Sequence, residues 1–530
     1  MTGNTITLLI IITLLGSDSP QQYIDPFDII IKNGRILDGL GNPWFIADIG
    51  IRDGRIVDIG NLNASSADNV IYADNLYVAP GFIDVHSHAS NGLISKELSQ
   101  AHSLLAQGVT TVVINHDGGG PTNLATQEND LLLHGLGVNV IQLVPHGSVR
   151  RQVMGHTDRK PTAIEMDEMK NLVYDGMASG AFGLSSGLFY VPGSFSTTDE
   201  IIELAKVVAI FDGIHSSHIR DESDYSIGIL AAVEEIIQIS LEAEIPSVIS
   251  HVKTLGPRVW GLSNTLVQQI ESARENGLKI YADQYPYTAS ATSLAFALIP
   301  SAALEGGMKT LRKRLNDSED HSWIREGILN NLDRRGGADR ILLRRFSHDD
   351  TFEGRSLQEI SDSLQTNPAD LVIDLIKIGN PDIISFNMLD NDVNLLMQQP
   401  WTMTSSDGEL VAVGDGYPHP RSFGAFSRKL KKYAIEDGVI SLEAAIRSMT
   451  SLPAEVFGLH NRGVISRGSI ADMAIFDLDR LRDTATYTDP HRFAEGMVHV
   501  LINGQFAIED GDFTNDSLGQ ILKNRIHKDN

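Results

Sequence analysis

Residues 78–90 read VAPGFIDVHSHAS, with His86 and His88 one residue apart and Asp84 just ahead of them. In an extended strand side chains alternate faces, so both imidazoles and the Asp84 carboxylate project to the same side. A single histidine in an apolar strand is ordinarily a satisfied core residue. Two on one face, opened by Pro80-Gly81 and followed by Ser90-Asn91-Gly92, suit a divalent cation, since neutral imidazole is the commonest metal ligand. Further donors recur at the ends of strand-like runs: His218 in GIHSSHIRDE, His251 in SVISHVKTLG and Asp407 in PWTMTSSDGEL. With no cysteine in the chain, disulfides, thiolate zinc sites and Cys nucleophiles are excluded. A metal must be held by His, Asp, Glu, water or a modified lysine.

Those donors need a scaffold that brings strand ends together. Between residues 81 and 450, short buried-type strands such as GVTTVVIN, VNVIQLV, AFGLSS, IPSVISHVK and LKIYADQYPY alternate with helical segments. This alternation predicts an α/β fold, a (β/α)8 TIM-like barrel, which carries its reactive groups at the C-terminal ends of its strands. An open doubly wound sheet is the runner-up, but no glycine-rich dinucleotide loop follows a first strand. Residues 303–350 are charged and helical in pattern and read as an insertion, either a lid over the barrel mouth or a solvated helical hairpin.

Both ends of the chain have a different texture. Residues 27–60, 462–481 and 497–513 are short β-rich runs punctuated by Gly, Asn and Asp turns. Neither end has enough strands for a stable sheet, so residues 20–80 and 451–515 are expected to form one small β-sandwich together, with 516–530 as a tail. At the start, the apolar run Ile6–Leu15 is shorter than the roughly 20 residues a membrane span needs and matches the core of a secretory signal. No Lys or Arg precedes it, and Gly16-Ser17-Asp18-Ser19 is a loose cleavage site. Residues 1–19 are therefore read as a signal peptide of a secreted or periplasmic protein, against a frayed apolar tail on a cytoplasmic one. The net charge of −26, with no basic stripe, argues against a nucleic-acid partner.

From about Phe27 to Gly511 the chain resembles the N-acyl-D-amino-acid deacylases (D-aminoacylases) of the amidohydrolase superfamily. The motif PGFIDVHSHAS belongs to the whole superfamily, whereas GLFYVPG, SHIRDE, YPYTA and HPRSFG are particular to this branch. The resemblance implies His86 and His88 as ligands of one metal position and His218 and His251 as ligands of the other. It implies zinc, one or two ions, with another divalent metal possible, and Asp407 as the carboxylate that touches metal and water and takes the proton. One position departs from the pattern. Where familiar D-aminoacylases place a bridging cysteine after GVTTVV, this chain reads INHDGGG, and Asp117 falls in register. Asp117 is expected to bridge, which shifts the site towards harder metals; His116 is the rival ligand, and a mere turn-capping role for Asp117 stays open.

The implied reaction is metal-dependent hydrolysis of a small-molecule N-acyl amino acid, by water whose pKa is lowered to about 7. Asp407 would accept its proton and return it to the leaving amine. For the substrate carboxylate the resemblance favours Lys253 and Tyr285, with Tyr190 near the scissile group. Arg220, two residues past His218, and Arg421 in the HPRSFG segment are further candidates. The D preference comes from the resemblance alone. Two other readings are a cyclic-amide hydrolase of dihydroorotase or hydantoinase type and a metal-free, non-catalytic scaffold. The cyclic-amide enzymes normally bridge with a carboxylated lysine, and only Lys160 and Lys170 lie in the stretch where one is expected.

Overall fold

The structure, a computed structural model, describes residues 26–62 and 66–524. The expected export segment lies outside these residues. Strands β1 (Phe27–Ile36), β2 (Phe45–Arg52), β3 (Arg55–Gly60), β4 (Ala67–Tyr72) and β5 (Tyr77–Pro80) come from the N-terminal end. The β2–β3 hairpin turns at Asp53-Gly54, both left-handed (φ 50° and 70°), as a tight Asp-Gly turn requires.

Next come β6 (Phe82–Asp84), β7 (Val109–Ile114), β8 (Asn139–Gln142) with its continuation β9 (Val144–Pro145), β10 (Gly183–Gly187), β11 (Ile214–His218), β12 (Ser247–Ile249) and β13 (Ile280–Gln284). After a long excursion holding β14 (Ser290–Ser293), β15 (Ile341–Arg345) and β16 (Asp382–Ser385), the chain returns as β17 (Thr402–Thr404). Pairing runs β6-β7-β8 and β9-β10-β11-β12-β13-β17, parallel throughout. Helices cover the strands outside, so the strands are buried on both faces and read as unbroken apolar or small runs. The helices are started by local chemistry: Ala163–Ala178, for example, opens with a reciprocal Thr162–Glu165 capping box.

The barrel closes just past the last strand residues. Asp407 N donates to His86 O and His88 N to Gly408 O, each at 2.8 Å. Ser406 N donates to Asp84 Oδ1 at 2.9 Å, tying β17 to β6 through a buried carboxylate. This seam sets Asp407 beside the two histidines.

The excursion is broader than the charged helical stretch that marks it in the sequence. Helices Met308–Arg314 and Ser318–Arg334 lie within 303–350, but that stretch ends in β15, which pairs with β16 in an antiparallel sheet of order β14-β16-β15. Its own core includes Leu298, Ile324, Ile328, Leu343 and Ile376.

The C-terminal strands β18 (Met473–Phe476), β19 (Met497–Ile502), β20 (Gln505–Glu509) and β21 (Asp512–Phe513) join the N-terminal ones in one nine-stranded sheet. Antiparallel β5–β18 pairing, from Tyr77↔Phe476 to Pro80↔Met473, is where the two chain ends meet. The sheet wraps round so that Ile56 N donates to Ser469 O at 2.9 Å, enclosing Ile31, Ile49, Ile71, Val78, Met473 and Leu501. Helix Ser451–Val456 packs on the barrel, its Leu452 against Ile83 and Val113. Residues 516–524, read as tail, instead lie along β8: Val140 N donates to Gln520 O and Leu522 N to Val140 O. They occupy the edge β8 leaves open where its continuation β9 turns to β10. No helix among the described residues is long and apolar enough to cross a membrane.

Candidate metal centre

His86, His88, Asp117, His218, His251 and Asp407 come from five separate strand ends, and the structure brings all six together. Two groups of donors each lie within 4.8 Å: His86, His88, Asp117 and Asp407, and Asp117, His218 and His251. Asp117 belongs to both. Its Oδ1 stands 3.5 Å from His86 Nε2, 3.7 Å from His218 Nδ1 and 3.7 Å from His251 Nε2, and its Oδ2 lies 3.4 Å from His88 Nε2. Asp407 Oδ1 is 3.1 Å from His88 Nε2 and 3.7 Å from His86 Nε2.

The backbone is bent to achieve this. Asp117, His251 and Asp407 are left-handed, with φ of 56°, 35° and 47°, a conformation that costs a non-glycine residue about 1–3 kcal/mol and concentrates at functional sites. Glycine is needed opposite Asp117: a Cβ at Gly187 would lie 2.1 Å from the Asp117 carbonyl.

Electrostatics favour positive charge here. Burial opposes protonation of His86, but the Asp117 and Asp283 carboxylates override it and hold its pKa well above the ordinary value. His88 is likewise lifted to about 9, by Asp117 and Asp407 against burial. Burial would raise Asp117 and Asp407, yet His86 for the first and Arg421 for the second keep both well below the usual carboxylate range. Both ring nitrogens of His86 and of His218, and Asp117 Oδ1, are buried without a hydrogen-bond partner among the described residues. Orphaned donors of this kind, aimed at common points from a carboxylate shared between two groups, fit one or two divalent cations. His116 joins neither group. It stacks on His86 with ring centroids 4.0 Å apart, and burial together with His86 pushes its pKa well down.

The centre opens into a cavity of about 800 Å³, whose walls include Tyr190, Lys253, Tyr285 and Arg421. Tyr285 OH is buried and without a hydrogen-bond partner among the described residues, with Arg421 4.7 Å and Lys253 5.6 Å from its ring. Arg421 Nη1 also reaches Asp407 Oδ2 at 2.7 Å, turning Oδ1 towards the histidines. Tyr190 packs on His218, centroids 4.6 Å apart. Arg220 does not join them. Its strand ends at His218, so alternation no longer governs its direction, and its guanidinium pairs with Glu235 at 2.7 Å and donates to Ser194 O. A larger cleft of about 1660 Å³ beside the two-ended sheet holds none of these donors.

Three further residues support the ligands: Asp84, noted beside the histidines in the sequence, and Asp283 and Glu222, which the motif reading passed over. Asp283, two before Tyr285, accepts from His251 N at 3.0 Å and Ser405 Oγ at 2.6 Å and lies 3.8 Å from His86 Nδ1. Asp84 is pinned between β6 and β17. Glu222, four residues after His218, pairs with Lys253, and its Oε1 lies 3.1 Å from His251 Nδ1. The signal for Glu222 was its place in SHIRDE.

Known proteins resemble the chain over most of its length. A sequence profile described as the amidohydrolase family matches residues 317–508. An N-acyl-D-glutamate deacylase of Alcaligenes xylosoxydans xylosoxydans is 32% identical over 502 residues, 91% of this chain and 93% of the relative. The chain belongs to the N-acyl-D-amino-acid deacylase branch of the amidohydrolases. Two solved structures of the branch superpose with a TM-score of 0.80 over 94% of this chain and 100% of theirs. One is a D-aminoacylase with a binuclear metal centre, at 32% identity. The other is an N-acyl-D-glutamate deacylase from Bordetella bronchiseptica with zinc and a phosphonate mimic of the tetrahedral intermediate, at 31%.

Within this deacylase, His251 can offer Nε2 to a cation only with its proton on Nδ1, which Glu222 Oε1 at 3.1 Å would accept once the Lys253 ammonium, 2.8 Å from the same nitrogen and able only to donate, gives way. Glu222→Gln is expected to weaken metal binding about 10- to 100-fold, read by titration against a chelator. Unchanged affinity would make Glu222 only the counter-ion of Lys253.

Proposed function

We infer that this protein hydrolyses the amide bond of N-acyl-D-amino acids, releasing a carboxylate and a free D-amino acid, with zinc as the metal. The observation that carries this is the convergence of two donor groups sharing Asp117 at one end of a cavity whose wall holds Tyr285, Arg421 and Lys253. A bound divalent cation supplies Lewis acidity there, polarising the amide carbonyl and lowering the pKa of water to about 7. The chain's own residues do the rest. The unpartnered Tyr285 hydroxyl and the Arg421 guanidinium are placed to bind the substrate α-carboxylate, and Lys253 adds charge beside them. Asp407, oriented by Arg421, takes the proton of the attacking water and delivers it to the amine as the C–N bond breaks. Tyr190, against His218, lies beside the reacting amide.

The cyclic-amide alternative lacks its lysine. Lys170 is paired with Glu203 at 2.6 Å between outer helices, and Lys160 is exposed. The net charge of −26, with no basic stripe, speaks against nucleic acid as a partner. The apolar run Ile6–Leu15 supports export to the periplasm or medium, and the N-terminal sequence of the mature protein checks it. The function is tested by assaying zinc-loaded protein on N-acetyl-D-methionine, its L isomer and a hydantoin. The D isomer is expected to exceed the other two at least 100-fold in kcat/KM, about 2.7 kcal/mol of transition-state discrimination. Preference for the hydantoin would overturn the reading.

A further inference from the structure

His116 lines the active-site cavity, is only 2% exposed, and leaves both ring nitrogens without a hydrogen-bond partner among the described residues. The ring is firmly placed. It stacks on the ligand His86 with centroids 4.0 Å and planes 15° apart, and Asp117 follows it in the chain. The loop around it is pinned as well. Gly119 N donates to His116 O at 2.9 Å, and the Asn115 amide donates to Gln127 Oε1 at 2.8 Å and to Leu143 O at 3.1 Å. Asn115 is thus satisfied and Asp117 serves both donor groups, whereas the imidazole between them serves neither.

Burial and the neighbouring His86 keep that ring neutral, and a neutral imidazole carries one N–H and one bare nitrogen in either tautomer. Burying both without partners is costly, and a phenylalanine would stack on His86 without that cost. The cost is recovered when a ligand supplies the missing partner. The order of strands says which part of the substrate that is. Counting β8 and β9 as one, β7 and β12 stand opposite each other in the eight-strand circuit. Lys253 follows β12 and Tyr285 follows β13, so the α-carboxylate is held on the wall that faces His116. An amide anchored there by its carboxylate, with its carbonyl over the donor groups, directs its acyl end at the loops after β6 and β7. Those loops give the cavity Ile94, Leu98 and Pro121 beside His116.

We propose that His116 is a specificity-determining residue that hydrogen-bonds a polar substituent on the acyl group, making N-(2-hydroxyacyl)-D-amino acids a preferred substrate class over their N-alkanoyl counterparts. This rests on the deacylase activity inferred above. A hydroxyl both donates and accepts, so it pairs with either ring nitrogen. The apolar residues of the same wall would then hold the rest of the acyl chain.

The test compares N-glycolyl-D-methionine with N-propionyl-D-methionine, which differ by a hydroxyl for a methyl of similar size, on the zinc-loaded full-length protein. The glycolyl:propionyl ratio of kcat/KM is expected to be about 10 to 100, because the propionyl group leaves the buried imidazole unpaired. His116→Phe keeps the ring stack and loses both nitrogens. Its ratio should fall to near one, with metal affinity, read by titration against a chelator, staying near that of wild type. His116→Asn restores a donor and an acceptor and should lie in between. If the phenylalanine variant fails to fold, the asparagine variant and the wild-type ratio decide the matter. A wild-type ratio near one, or an unchanged ratio in a folded His116→Phe protein, overturns the proposal while leaving the deacylase reading intact. So does a loss of metal affinity in that variant as large as its loss of turnover, which would make His116 a metal ligand. A purely packing role would lower both substrates alike. If no N-acyl-D-amino acid is turned over, the parent reading has failed, and this one falls with it.

Discussion

Asp407→Asn is expected to lower kcat by about 10³-fold or more, in the upper range for loss of a general acid–base group, while most bound metal is retained. The asymmetry follows from the geometry. Asp407 is one of four donors in the group with His86, His88 and Asp117, whereas the group of Asp117, His218 and His251 does not include it. Its loss leaves at least three donors at each position. Its catalytic position has no substitute, since the neighbouring Asp117 carboxylate is engaged with four imidazoles. Asparagine preserves the shape but cannot accept and return a proton. Metal content by elemental analysis and turnover of N-acetyl-D-methionine should therefore separate in this variant. Turnover within tenfold of wild type would remove Asp407 from the proton-transfer role.

Asp117→Ala is expected to do the reverse and weaken metal binding, most of all on the His218–His251 side, which keeps only two donors. One carboxylate serves both donor groups, so its removal leaves His86, His88 and Asp407 on one side and only His218 and His251 on the other. Affinity should fall by more than about 100-fold, beyond what loss of an outer hydrogen-bond partner costs, and activity with it. Asp117→Cys discriminates the cause. A thiolate at the same backbone position restores a bridging ligand and favours softer metals, so the cysteine variant should hold zinc where the alanine variant does not. An alanine variant that binds metal as tightly as wild type would reduce Asp117 to a turn residue, its left-handed φ of 56° serving only the glycine-rich loop.

Much of this site was legible because its signals are local. The two-residue repeat of extended chain picked out His86 and His88 as a pair, but β6 ends at Asp84 and the chain bends at Val85 and His86, so it is the bonds Ser87 N to Val113 O and His88 N to Gly408 O that hold both imidazoles at the site. His218, His251 and Asp407 stood at the ends of buried strands, where a barrel concentrates its chemistry. The same logic failed for Arg220. Alternation was extended past the point where β11 stops, and the side chain turned to Glu235 on the following helix.

The sequence by itself determined the donor types, the α/β alternation and the two-ended sheet, since each is written in residue identity and short-range periodicity. Only the tertiary structure decided that Asp117 stands between the two donor groups and that the β17–β6 seam sets Asp407 against His86 and His88. The physical reason is reach. Hydrogen bonding and side-chain alternation act over a few residues, whereas the seam joins positions more than three hundred residues apart, whose meeting depends on how the whole barrel closes.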